Sequence, residues 1–356
     1  MKRFKNILVV YDGKADNRAL HDQAVNLARR NQAVLTVVDV IEEARTVSAK
    51  PSPAQDSAKG LDMRIIEDFP FESSIAPASA SPANEPGDMA GIPRKTSLEI
   101  QEFIIQEEKC SLGEFVSSLR HAGIQVHSKT LYGIPFIKVI QEVLRGNHDL
   151  VMVTAEGMGG LRGTLFGNTT MHLMRKCPCP VWVIKPGQPR KFERILAAVE
   201  VFQEDVERAA LTTKILELAT SLARFGDSEL LIFHAWKMYG ESIIKGQARF
   251  PTQVVEKLLQ DTQEAHRQGL IELLQGHSLE DLKNTVYLLK GEAGDLIPEL
   301  ARAREVDLIV MGTVSRTGIA GLLIGNTAEI VLQQVDCSVL TVKPEGFVTP
   351  VKLEPA

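Results

Sequence analysis

The 356-residue chain is poor in several things that would announce a function. Aromatic residues make up 5% of it, with two Trp and four Tyr, which leaves little for base-stacking platforms on single strands. It has no basic surplus: the net charge is −5 and the pI is near 6.0, so no nucleic-acid partner is expected. It has no long apolar run. The start, "MKRFKNILVVYDG", is basic like a signal peptide, but Ile7–Val10 is too short for its apolar core. No stretch approaches the ~18 apolar residues of a membrane span, so a cytoplasmic protein is expected. Cysteines number four, without CxxC or zinc spacing. "CPCP" at Cys177–Pro180 hints at redox chemistry, but one intervening residue is awkward for a disulfide and no histidine adjoins it. Small buried thiols in a reducing compartment are expected. There is no Gly-Lys-Ser/Thr phosphate loop, and the first strand leads into "YDGKADN" rather than GxGxxG. The eight histidines are scattered, none at helical metal spacing with another ligand type. Neither a metal site nor a catalytic constellation is expected.

What the chain does have is enough apolar material for real cores, 44% of its residues, and a length suited to two domains. It also repeats itself. "KNILVVYD" (Lys5–Asp12) matches "ERILAAVE" (Glu193–Glu200), and "NLARRNQAVLTVVDV" (Asn26–Val40) matches "SLARFGDSELLIFHA" (Ser221–Ala235). "HDLVMVT" (His148–Thr154) matches "VDLIVMG" (Val306–Gly312), and "FGNTTMHLMRKCPCPVWVIKP" (Phe166–Pro186) matches "IGNTAEIVLQQVDCSVLTVKP" (Ile324–Pro344). From Tyr132 and Lys290 onward the offset is constant. The period is too long for a solenoid, so these are two copies of one domain, residues 1–187 and 188–345, joined near "KPGQPRK", with a tail at 346–356.

Each copy alternates strand and helix. In copy one, strands are predicted at Ile7–Tyr11, Val34–Val40, Gln125–Leu131, Leu150–Thr154 and Val181–Lys185. Helices are predicted at Asn17–Arg30, Leu98–His121, Pro135–Arg145 and Asn168–Lys176. The strands are continuous Val/Ile/Leu runs, the mark of a parallel sheet covered on both faces. The expected fold class is α/β, two tandem doubly wound Rossmann-like domains. One segment breaks the symmetry. Glu42–Thr96 of copy one, rich in Ser, Pro and Ala, has only Trp236–Pro251 as its counterpart. It buries too little to offset its ordering entropy. A mobile surface insertion is expected; a lid or a partner-binding segment is the alternative.

The stretch "LVMVTAEGMGGLRGTLFGNTT" (Leu150–Thr170) has the layout of a phosphate cradle: strand, glycine-rich loop, helix start. Copy one reads Thr154-x2-Gly157-x9-Gly167-Asn168, and copy two reads Gly312-x2-Ser315-x9-Gly325-Asn326. This spacing and the order of elements resemble the universal stress protein family, whose nucleotide-binding members show Gly-x2-Gly-x9-Gly-(Ser/Thr) after strand four. The duplication, "MGTVSRTG" (Met311–Gly318) and the tail "KPEGFVTPVKL" (Lys343–Leu353) look like its tandem-domain, UspE-like branch.

The resemblance implies a five-stranded parallel sheet of order 3-2-1-4-5 in each copy, with the ligand crevice between strands one and four. It implies that an acid at Asp12 or Glu200 serves the adenine or ribose side, and that the end of strand two, Val40 or Ala235, contacts the base. The strand-four loop and helix start would take the phosphates: Thr154, Gly157, Gly167, Asn168 and Thr169 in copy one, and Gly312, Ser315, Gly325, Asn326 and Thr327 in copy two. Neither copy is clean. Thr154 stands where a glycine admits ribose or phosphate, while Ser315 replaces the second glycine of copy two, and both copies put Asn where Ser is usual. Asn168 and Asn326 also fit as helix N-caps, with Glu329 of "NTAE" reaching back as in a capping box.

The expected function is a non-catalytic stress-response factor acting through protein partners, with ATP or AMP, and Mg²⁺, in one degenerate site. The alternatives are a weak ATPase or nucleotidyl-transferring enzyme using copy one, or another small ligand in the cleft. Strand five of each copy is the expected edge that pairs, making an internal pseudo-dimer. Further homodimerisation stays open.

Overall fold

A computed structural model describes residues 4–13, 15–42, 97–155, 166–187, 191–201, 206–245, 250–313 and 325–354. The Glu42–Thr96 insertion therefore lies, but for its first residue, outside the described residues.

Copy one runs β1 (Asn6–Tyr11), α1 (Arg18–Asn31), β2 (Val34–Ile41), α2 (Ser97–His121), β3 (Val126–Tyr132), α3 (Pro135–Gly146), β4 (Leu150–Thr154), α4 (Asn168–Lys176) and β5 (Val181–Ile184). Copy two runs β6 (Arg194–Ala198), α5 (Val206–Gly226), β7 (Glu229–Trp236), α6 (Glu241–Lys245), α7 (Thr252–Gln275), β8 (Asn284–Lys290), α8 (Ala293–Ala303), β9 (Leu308–Gly312), α9 (Asn326–Gln334) and β10 (Ser338–Val342). Local chemistry sets the boundaries. Gly123 takes φ +78° just after α2, where its missing Cβ removes the left-handed penalty, and Pro135 opens α3.

The strand order is β3-β2-β1-β4-β5-β10-β9-β6-β7-β8. Each half has the expected 3-2-1-4-5 order with parallel neighbours, but the halves are not two separate sheets. They form one ten-stranded sheet within one compact unit. The junction is its antiparallel step: β5 pairs with β10 in the register Val183↔Val339, Trp182↔Leu340 and Val181↔Thr341. Central strands such as β4 and β5 are buried along their whole length, which is why they read as unbroken apolar runs. The outer strands β3 and β8 carry polar residues and are largely half-buried or exposed, as edges exposed to solvent must be.

Helices cover both faces, and each face has one core running through the junction. One core joins α1, α2, α5 and α7 residues such as Leu20, Leu119, Leu216 and Leu270 to Trp182 and Leu340. The other joins Ile140, Leu173, Ile297 and Val331 of α3, α4, α8 and α9 to Val183 and Val339. The C-terminal tail reaches back onto copy one. Val351 packs on the second core, Gln141 donates to the Lys352 carbonyl at 3.0 Å, and Lys138 pairs with Glu354 at 3.0 Å.

Candidate functional site

The crevice in copy two opens at the carboxyl ends of β6 and β9, where the strand order reverses. Five of the residues expected there line one cleft of about 110 Å³, room for several waters. They are Glu200, Ala235, Gly312, Gly325 and Thr327. Asn326 stands exposed beside them at the start of α9. Apolar side chains from both helical layers and the sheet, among them Leu211, Ile215, Phe233 and Ile297, form most of the walls. Thr212 donates to the Glu200 carbonyl at 2.8 Å and fixes the turn after β6. Glu200 itself opens to solvent at the mouth, yet the surrounding protein desolvates its carboxyl enough to raise its pKa, against the pull of Arg208.

Packing gives Gly312 a further reason to be glycine, and one local expectation changes. A Cβ there would lie 3.0 Å from Leu211 Cδ2 and 3.5 Å from Ile215 Cδ1, so its absence lets α5 close on β9. The asparagines are not N-caps. The caps of α4 and α9 are Gly167 and Gly325, Asn168 and Asn326 are already the first helical residues, and no side chain caps either helix. Glu329 does not reach back; it takes the Arg175 guanidinium of copy one at 2.6 Å. Among the described residues, the first N–H groups of α9, beside the cleft, have no side-chain acceptor, the arrangement that favours an anion.

Copy one differs. Thr154 is buried, and its hydroxyl donates to Asn17 Oδ1 at 3.2 Å, while Asn17 Nδ2 donates to the Asp12 carbonyl at 2.7 Å. Asn17 and Thr212 are equivalent when "NLAR" is laid on "SLAR", and each holds the carbonyl that follows strand one. Only in copy one does a side chain at the end of strand four complete a bridge across the crevice. Asp12 is half-buried, Val40 packs from the end of β2 onto the second core, Gly167 and Thr169 are half-buried, and Asn168 is exposed. Gly157 and Ser315, with the rest of both strand-four loops, lie outside the described residues.

Sequence reasoning missed several neighbours of the copy-two cleft. His234 lines it, one residue before Ala235. Its Nδ1 lies 3.1 Å from the Val199 carbonyl and its Nε2 lies 2.9 Å from His266 Nδ1. Burial lowers the pKa of both rings, so both stay neutral near pH 7. The pair spans β7 and α7, a contact no local spacing foretells. Thr313 and the Lys343 behind it were also missed. Of the thiols, Cys177 and Cys337 are buried as expected, Cys179 is half-buried and Cys110 is exposed on α2. Hydrogen bonding with Cys177 and burial both hold the Cys179 thiol protonated, and burial pushes Cys337 up to about 12.

The family model for universal stress proteins matches residues 3–185 and again 191–343. The chain belongs to the universal stress protein family. It is 30% identical over 257 residues to universal stress protein E of Escherichia coli K12, covering 72% of this chain and 80% of that one. To universal stress protein E of Photorhabdus laumondii it is 25% identical, with 99% of each chain covered. A solved putative universal stress protein from Pseudomonas aeruginosa UCBPP-PA14 shares the fold, with a TM-score of 0.64, 23% identity, and 97% and 95% of the two chains covered. Among the described residues, no helix is long and apolar enough to cross a membrane.

Proposed function

We propose that this universal stress protein is a non-catalytic stress-response factor. It acts through protein partners and takes an adenine nucleotide, ATP or AMP, in the cleft of copy two. The observation that carries the reading is the α9 N-terminus, which has no side-chain cap and opens onto a cleft with Glu200 and Ala235 at its other end. The cleft's largely apolar walls suit a base, and the helix N–H groups suit a phosphate. No group of three or more His, Cys, Asp or Glu that could hold a metal occurs among the described residues, so any Mg²⁺ would arrive on the ligand's phosphates. Copy one, bridged by Thr154 and Asn17, serves as the structural half.

The enzyme reading placed ATP in copy one, and the Thr154–Asn17 bridge argues against room for it there. Isothermal calorimetry with ATP and Mg²⁺, together with mass spectrometry of nucleotide released on denaturation, tests the proposal. Saturable heat lost in Gly312→Val and kept in Gly167→Ala is the expected result. Heat lost in the second variant alone would move the site to copy one, and absence of both heat and released nucleotide would remove the nucleotide altogether.

A further inference from the structure

The two copies end in matching lysines, Lys185 after β5 and Lys343 after β10, and both are almost fully buried, at 3% and 2% exposed. Because the junction is antiparallel, each lysine crosses to the end of the other copy's last helix. Their electrostatic surroundings differ. Lys185 has Asp336 as a counter-charge. The position equivalent to Asp336 in copy one is Pro178, so Lys343 meets no such acid. Its ammonium donates to the Thr313 hydroxyl and, at 3.1 Å, to the carbonyl of Arg175, and it lies 4.8 Å from the centre of the Phe347 ring. These are neutral partners. The ionisable group that acts on it is the Cys177 thiol, while Arg175, whose carbonyl it binds, has its own guanidinium paired with Glu329 of α9. A buried cation with only dipoles around it is costly, and burial accordingly brings the Lys343 pKa down to about 7.

Thr313 is also part of the wall of the copy-two cleft, whereas its equivalent in copy one is Ala155. Among the described residues, the buried lysine with no acid beside it therefore stands behind the cleft whose strand four ends in glycine, where no side chain can make the bridge that Thr154 makes in copy one. We propose that Lys343 is the counter-charge for an anionic group bound in the copy-two cleft, the phosphate of a nucleotide being the class that fits. The ammonium acts from behind Thr313, together with the N–H groups of α9. Arg175 and Glu329 tie the same helix end to copy one, so an occupied cleft also stiffens the junction. The inference rests on the reading of the cleft as an anion site, and it adds a pH dependence: the site is strongest where Lys343 is charged and weakens as the pH rises through about 7.

The test uses three probes on the full chain: sulfate against chloride at matched ionic strength, AMP, and adenosine. Sulfate keeps its charge between pH 6 and 9, so a change in its effect reports on the protein. Melting temperature and calorimetry are read for the wild type, Lys343→Met and Pro178→Asp. The first variant removes a buried charge and keeps the chain length of the side chain; the second supplies the acid that Lys185 already has. The expected result is that sulfate stabilises the wild type at pH 6 more than at pH 9, and more than either variant. AMP binding should weaken about tenfold or more in both variants at pH 6 (about 1.4 kcal/mol per tenfold), while adenosine binding stays unchanged. AMP binding that is equal in all three proteins would overturn the inference and leave the nucleotide reading intact. A sulfate effect that needs Lys343 without any AMP binding would keep the anion site and remove the nucleotide. Sulfate and AMP responses that fail to separate wild type from variants, including no response at all, would overturn it.

Discussion

The crevices of the two copies start from the same blueprint and end differently. In copy one, strand four ends in Thr154–Ala155, and the threonine hydroxyl crosses to Asn17. In copy two it ends in Gly312–Thr313; the glycine lets α5 pack close and has no side chain to cross, and the threonine receives Lys343 instead. Two residues thus exchange a bridge across the crevice for a charge behind it. Duplication allows such divergence, because the two halves share one sheet and two cores.

The sharpest way to break the comparison is at the junction that makes it possible. Trp182 and Leu340 are equivalent residues and also direct partners across it, both buried. Trp182→Ala should cost about 3–5 kcal/mol, read by urea denaturation. Because both cores run through the junction, both halves should lose stability together in one transition. Two transitions, with only copy one shifted, would show that the halves fold independently.

Lys343 gives the next largest effect. Its pKa is near 10.4 in an unfolded chain and about 7 in the fold, so between those values the unfolded chain binds the extra proton. Unfolding free energy should therefore rise with pH across that window, by on the order of a few kcal/mol, and the penalty should be fully present below pH 7. Lys343→Met should abolish that slope and be more stable than the wild type at pH 7. A wild-type profile that is flat or falling over the window would contradict the uncompensated charge.

Gly312→Val should cost about 1–3 kcal/mol through the clash with Leu211 and Ile215 and should remove ligand heat. The reverse exchange, Thr154→Gly in copy one, gives up a hydrogen bond worth about 1 kcal/mol plus backbone entropy. A gain of nucleotide binding in Thr154→Gly would show that the bridge alone keeps copy one closed. The smallest effect should come from His234 and His266. Burial lowers both pKa values in the fold, while both rings titrate near 6.5 when unfolded, so stability should fall as the pH drops below about 6.5. His234→Asn should flatten that fall, as a pH series of melting temperatures would reveal.

Much of the fold was legible because it is written in local periodicity and in the repeat. Continuous apolar strands, helical spacing in α3 and the matching "GN" helix starts place the strands and helices of copy one and, through the repeat, their counterparts in copy two, but not α6. Strand five proved to be the pairing edge, since an apolar edge needs cover. The cleft was half legible. Glu200, Ala235, Gly312, Gly325 and Thr327 do share it, as their places at strand ends and at the start of α9 imply. The role of Asn326 was misread because a sequence does not say whether the helix begins one residue earlier, at a glycine. Cys110 was expected to be buried because cysteine usually is, but its helix face decides otherwise.

By itself, then, the sequence determined the domain type, its duplication and the spacing that puts a loop and a helix start after strand four. These follow from hydrophobic pattern and glycine placement, which act over a few neighbouring residues. Which side chains meet at each crevice was decided only in three dimensions. Thr154 and Asn17 meet from opposite ends of copy one, and Lys343 meets Thr313 and Arg175 across an antiparallel junction. Burial cost and hydrogen-bond geometry act through space, between residues that no local pattern links.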